Sequence, residues 1–116
     1  MIMNFYKTIA KYIVLHGPAT QVIIGNMNGE FWYYPKEQLY INIKILQEII
    51  KYHNRTILKG QRYRYLELQT RSKKIVALPL DKHNVLIALI PSYISSTDFL
   101  AELRVERVLS KERKVH

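Results

Sequence analysis

The stretch YRYLELQTRSKKIVALPLDKHNVLIALIP, Tyr63 to Pro91, decides the fold. Three extended runs lie in it, Tyr63 to Thr70, Lys74 to Leu80 and Val85 to Pro91, separated by the polar turns Arg71-Ser72-Lys73 and Asp81-Lys82-His83-Asn84. β-Branched and aromatic residues fill the runs and turn formers sit at the junctions, which predicts an antiparallel meander. The third run, Val85-Leu86-Ile87-Ala88-Leu89-Ile90, has no polar position. A strand apolar on both faces must be covered on both faces, so helices are required above and below the meander.

Working outward, Ala19 to Gly25 reads as a strand around Val22-Ile23-Ile24. Asn26-Met27-Asn28-Gly29 reads as a hairpin turn, and Glu30 to Tyr34 as the return strand, stopped by Pro35. Trp32, Tyr33 and Tyr34 are read as covering a sheet edge, with a ligand platform as the alternative. Upstream, residues 1 to 16 read as an amphipathic helix with Ile2, Phe5, Tyr6, Ile9, Tyr12 and Ile13 on its apolar stripe, ended by Gly17-Pro18. Packing on the sheet is its simpler use and membrane binding the alternative. A second helix spans 37 to 54. Leu39, Ile43, Leu46 and Ile50 form one apolar stripe, and Ile41, Ile45, Ile49 and Tyr52 a second on nearly the opposite side. One stripe serves the sheet; a second, in so short a chain, is expected to meet another molecule. Arg55 to Arg62 reads as a loop pivoting on Gly60. Ser95-Ser96-Thr97-Asp98 opens a last helix around Phe99, Leu100 and Leu103, and 110 to 116 reads as a frayed basic tail.

The expected class is α/β in the α+β sense, in the order α-β-β-α-β-β-β-α. A five-stranded antiparallel sheet is sandwiched by helices, the first and last on one face and the second on the other, with Val22–Ile24 and Val85–Ile90 side by side at its centre. The 116 residues, 48% hydrophobic and 23% charged, fit one globular domain covering 1 to 116. The absence of cysteine excludes disulfides and thiolate metal sites and makes a reducing cytoplasm the default. No run approaches the roughly 18 apolar residues of a membrane span. Asn4, Lys7 and Lys11 interrupt what would be the core of a signal peptide. The abundance of isoleucine, tyrosine and lysine points to a thermophilic source.

No catalytic constellation is expected, and no cofactor. Gly17, Gly25, Gly29 and Gly60 form no phosphate-binding loop, and the nine acids show no close pair on one element. His16, His53, His83 and His116 lack metal-ligand spacing. His53 and His83 are read as solvated loop or helix-end side chains, with a shared metal site as the alternative. The net charge of +9 implies an acidic partner. The cations concentrate from Lys51 to Lys74, where Arg62-Tyr63-Arg64-Tyr65 precedes Arg71-Ser72-Lys73-Lys74. In a strand, the arginines of the first group would share one face and the tyrosines the other. Arg62, Arg64, Arg71, Lys73 and Lys74 are thus candidates for contact with an acidic protein or with phosphates, a solvated face being the simpler use. Phosphate contact gives the alternative function, a sequence-tolerant nucleic-acid-binding dimer.

The hairpin GPATQVIIGNMNGEFWYYP, the helix LYINIKILQEIIKYHN and the meander, together about Tyr12 to Leu109, resemble the roadblock family. The resemblance implies a fold close to those of profilin and longin domains. It also implies dimers, with itself or a sister roadblock domain, in which second helices pack together and third strands pair edge to edge. Family members are non-catalytic platforms for small Ras-like GTPases. On this reading the chain is a non-enzymatic scaffold, and its dimer contacts are Ile41, Ile45, Ile49, Tyr52, Tyr63, Tyr65 and Glu67. Glu67, or an acidic partner, would relieve the repulsion of Arg62, Arg64 and Arg71 across a symmetric seam.

Overall fold

A computed structural model describes residues 2–104. Its elements are α1 (Ile2–His16), β1 (Gln21–Asn26), β2 (Phe31–Tyr34), α2 (Ile43–Leu58), β3 (Leu66–Gln69), β4 (Lys73–Pro79) and β5 (Asn84–Pro91). A last helix, α3, is described over 96–104. The expected basic tail, 110–116, and whatever follows residue 104 lie outside the described residues. The five strands form one antiparallel sheet in the order β2-β1-β5-β4-β3. The apolar runs of β1 and β5 pair at its centre, Ile23 opposite Ile87 and Ile24 opposite Leu86. Both are covered above and below, as the composition of β5 requires.

Strand alternation divides these side chains between two cores. Val22, Ile24, Val76, Leu86, Ala88 and Ile90 meet Tyr6, Ile9, Ala10 and Ile13 of α1 and Phe99, Leu100 and Leu103 of α3. Ile23, Ile75, Ala77, Val85, Ile87 and Leu89 meet Leu46, Ile49 and Ile50 of α2, together with Ile41 from the segment before it. The expected stripe of α1 is corrected at one position. Tyr12 is exposed and lies against His16, with ring centroids 4.8 Å apart, while Ala10 takes the place against the sheet.

The second helix starts later and ends later than its sequence suggests. Gln21 is the reason for the late start. This buried side chain donates through Nε2 to the carbonyls of Pro35 (3.2 Å) and Gln38 (2.7 Å), and its Oε1 accepts from the Tyr40 N–H (2.9 Å). The clamp holds the backbone of 35–40 in a non-helical path. Asn42 then caps α2, its Oδ1 accepting from the Lys44 N–H at 2.8 Å. At the other end, Arg55 to Leu58 continue the helix, and Gly60, at φ +70°, stops it. The Gly60 N–H donates to Ile57 O and the Gln61 N–H to Thr56 O, the paired bonds of a Schellman cap, whose left-handed position suits glycine.

Candidate protein-interaction site

The strand at one end of the sheet, β3, is paired only with β4, and α2 lies along its Leu66 and Leu68 face. Between helix and strand runs an open groove of about 400 Å³ floored by Ile49 and Leu66. Ile45 and Tyr52 wall it from α2 and Leu68 from β3, with Lys44, Glu48 and Arg55 at its rim. Ile45, Tyr52 and Leu68 keep 37%, 41% and 38% of their surfaces in solvent. Three large apolar side chains exposed beside an open strand edge are the unpartnered surface of this end of the molecule.

The expected interface residues divide on inspection. Ile45 and Tyr52 are exposed on the groove, as the doubled stripe requires. Ile41 and Ile49 are 7% and 2% exposed and belong to the core under α2. At about 100° per residue, Ile49 stands between the two stripes, and the sheet claims it. Ile41 precedes the helix altogether and is drawn inward by the Gln21 clamp. Tyr63 and Tyr65 are not in β3, which begins at Leu66; alternation therefore does not sort Arg62-Tyr63-Arg64-Tyr65 onto two faces. Tyr65 is exposed, whereas Tyr63 turns back toward α2. Glu67 lies on β3, but its carboxylate accepts from Ser96 Oγ at the start of α3 and stands 3.7 Å from Lys74 Nζ. It faces the α1–α3 side, away from the groove.

Tyr63 is bound to a residue the sequence did not single out for this place. His53 is 1% exposed, not solvated, and both ring nitrogens are engaged. Nδ1 is 2.7 Å from Tyr63 Oη and Nε2 is 3.3 Å from Lys82 O. A carbonyl only accepts, so Nε2 carries the proton and the Tyr63 hydroxyl donates to Nδ1. Burial lowers the His53 pKa, against the opposing pull of the Lys82 and Asp81 backbone and the Asp81 carboxylate. The phenol of Tyr63 is pushed up, first by burial and then by neighbouring Tyr52, whose ring meets it edge-on at 5.4 Å. The spacing of His53 from Leu46, Ile49 and Ile50, which puts it on the buried stripe, is the signal that the reading of a solvated side chain missed. His83 lies elsewhere, with Nδ1 3.1 Å from Met27 Sδ. Among the described residues no three metal-ligating side chains come together.

The five cations singled out for phosphate or acidic contact do not form one cluster. Arg62 and Arg64 precede β3 and Arg71 follows it, all exposed. Lys73 lies over the Tyr40 ring at 5.5 Å. Lys74 is largely buried, donating to Ile94 O at 2.8 Å as well as approaching Glu67. No helix among the described residues is long and apolar enough to cross a membrane.

No family model and no curated protein sequence matches the chain. Solved structures do. MglB of Myxococcus xanthus superposes with a TM-score of 0.64 at 13% identity, covering 94% of each chain. MglC of the same organism gives 0.62 at 11% identity, over 93% of this chain and 98% of its own. A Roadblock/LC7 domain from Streptomyces avermitilis gives 0.61 at 7% identity, over 94% and 97%. Identities this low speak for the fold alone. With the sheet order, the helices on both faces and coverage of nearly the whole chain in each case, the conclusion is that this protein has a roadblock-type fold.

Proposed function

We propose that the chain is a non-enzymatic scaffold that assembles through α2 and β3, with a second copy or a sister roadblock-type domain, and presents the assembly to a small Ras-like GTPase. The observation that carries the reading is the groove itself: Ile45, Tyr52 and Leu68 are exposed beside a strand with an open outer edge. A partner's α2 fits over these side chains while its β3 continues the sheet, which would cover both the apolar surface and the unpaired edge. Similarity to MglB, which occurs in a tetrameric arrangement, supports self-association. The GTPase follows from the resemblance to roadblock platforms. The experiment is a pull-down from the source cell with the chain as bait, in GTP-analogue and GDP. Enrichment of a small GTPase supports the reading, and its absence from both eluates removes the GTPase from it.

The alternative, sequence-tolerant nucleic-acid binding, draws support from the net charge of +9 and the exposed Arg62, Arg64 and Arg71. It is ranked second because Lys74 is committed within the chain and the arginines stand at opposite ends of β3.

A further inference from the structure

At the other end of the sheet, β2 is also an open edge, and it is built differently. All four of its residues, Phe31-Trp32-Tyr33-Tyr34, are aromatic, and none carries a charge that would discourage another strand. The Asn26 N–H donates to Glu30 O, which fixes the hydrogen-bonded positions of the hairpin. By antiparallel alternation Trp32 and Tyr34 then bond to β1, and the N–H and C=O groups of Phe31 and Tyr33 point outward. Beside this edge, Lys7 and Lys36 lie over the Trp32 ring at 5.4 and 5.9 Å, and Lys11 lies over Tyr34 at 5.9 Å. The Trp32 and Tyr34 rings are themselves stacked, 6.5 Å apart. Among the described residues no carboxylate pairs with any of these three lysines. A ring face holds an ammonium group but does not neutralise it.

We propose that the β2 edge takes up an extended, acidic segment of a partner protein as a sixth strand. Its backbone would pair with Phe31 and Tyr33, and its carboxylates on one face would meet Lys7, Lys11 and Lys36. Charge selects this occupant. A second copy docked edge to edge by a two-fold axis would place both sets of lysines on the same face of the extended sheet, in a chain already at +9. A nucleic acid would match the charge but has no use for outward N–H and C=O groups. The site lies across the sheet from β3, so it is independent of the assembly proposed above.

Trp32 is the only tryptophan, so its emission reports on this edge alone. The probe is a short fluorescein-labelled peptide of alternating glutamate and valine, compared with a lysine–valine peptide and with oligothymidine at the same salt. The acidic peptide is expected to bind saturably, to shift Trp32 emission and to slow amide exchange at Phe31 and Tyr33. Changing Lys7, Lys11 and Lys36 together to Gln should weaken it about tenfold, the combined effect of three exposed ion pairs. Ile45→Glu, on the opposite groove, should leave it unchanged. An unshifted Trp32, binding without protection of the two amides, an equal response to the lysine peptide, or a Trp32 response to oligothymidine in its place would each overturn the proposal.

Discussion

Replacing Gln21 by Met tests how the chain sets the start of α2. The side chain is fully buried between β1 and the 35–40 segment and makes three hydrogen bonds. Met keeps the length and the packing and removes all three. Each bond contributes about 1 kcal/mol net, and a buried group left unpaired costs about 1–3 kcal/mol. Gln38 and Tyr40 have exposed side chains, so water can reach part of the freed backbone, and the expected loss is about 2–4 kcal/mol. For a domain near this size that lowers Tm by about 10–15 °C. Urea unfolding followed by circular dichroism gives the difference, with an unchanged m-value showing that the folded state keeps its compactness. Gln21→Glu sharpens the test. Its carboxylate still accepts from Tyr40 N–H but faces two carbonyl oxygens without a proton to offer. Burial and those oxygens would raise its folded pKa above the unfolded value near 4.3. Its stability should equal or exceed that of the Met variant below about pH 4 and fall behind it as pH rises through the folded pKa. A Met variant within about 0.5 kcal/mol of the parent, or a Glu variant without this pH dependence relative to Met, would refute the clamp.

Two further predictions concern titration. The folded pKa of His53 lies below 6.5. The unfolded chain therefore binds this proton first, and the contribution of neutral His53 is complete above pH 6.5 and lost as pH falls from there toward the folded value. His53→Gln should flatten that part of the stability–pH curve. Burial alone would raise the carboxyl of Asp81, but hydrogen bonds from Tyr6 Oη (2.8 Å), the Asn84 side chain and the backbone N–H groups of His83 and Asn84 outweigh it and hold its pKa below 3.8. Its stabilisation is therefore present above pH 3.8 and lost as pH falls through the lower folded value. Asp81→Asn should remove that acid limb and cost about 1–3 kcal/mol at neutral pH, measured by urea unfolding.

The sheet was legible because composition alone constrained it. A six-residue run with no polar side chain fits only a central strand, and Val22-Ile23-Ile24 and Ile75-Val76-Ala77-Leu78 are the apolar runs that lie on its two sides. Turn chemistry did the rest: Asn28-Gly29 and the 81–84 turn close hairpins where expected. What was not legible depended on contacts between distant positions. Nothing local marks Gln21 as a buried clamp, since glutamine in a strand ordinarily faces water. Without the clamp, residues 37–42 read as helix and Ile41 reads as a helical surface residue. The doubled stripe of α2 marks Ile45 and Tyr52 as turned from the sheet, and both are exposed, because they lie farther around the helix from Leu46 than Ile49 does. Ile49 borders both stripes, and only packing against the sheet assigns it. Tyr63 read as a strand residue because its pattern is β-like. The bond to His53, a tertiary contact, holds it in the loop. Lys74 reads in the sequence as a surface cation, and only its tertiary contact with the carbonyl of Ile94 takes it out of solvent.

Light scattering of the chain at micromolar concentration tests the central claim most directly. Assembly through α2 and β3 predicts twice the 13.8 kDa of one chain. It also predicts return to the single-chain mass with Ile45→Glu, because the carboxylate would be buried unpaired against a partner's helix. The variant should unfold in urea like the isolated parent chain, since Ile45 is already partly in solvent. A parent chain that stays at 13.8 kDa, or an Ile45→Glu variant that remains at twice that mass, would contradict assembly of two copies through this groove.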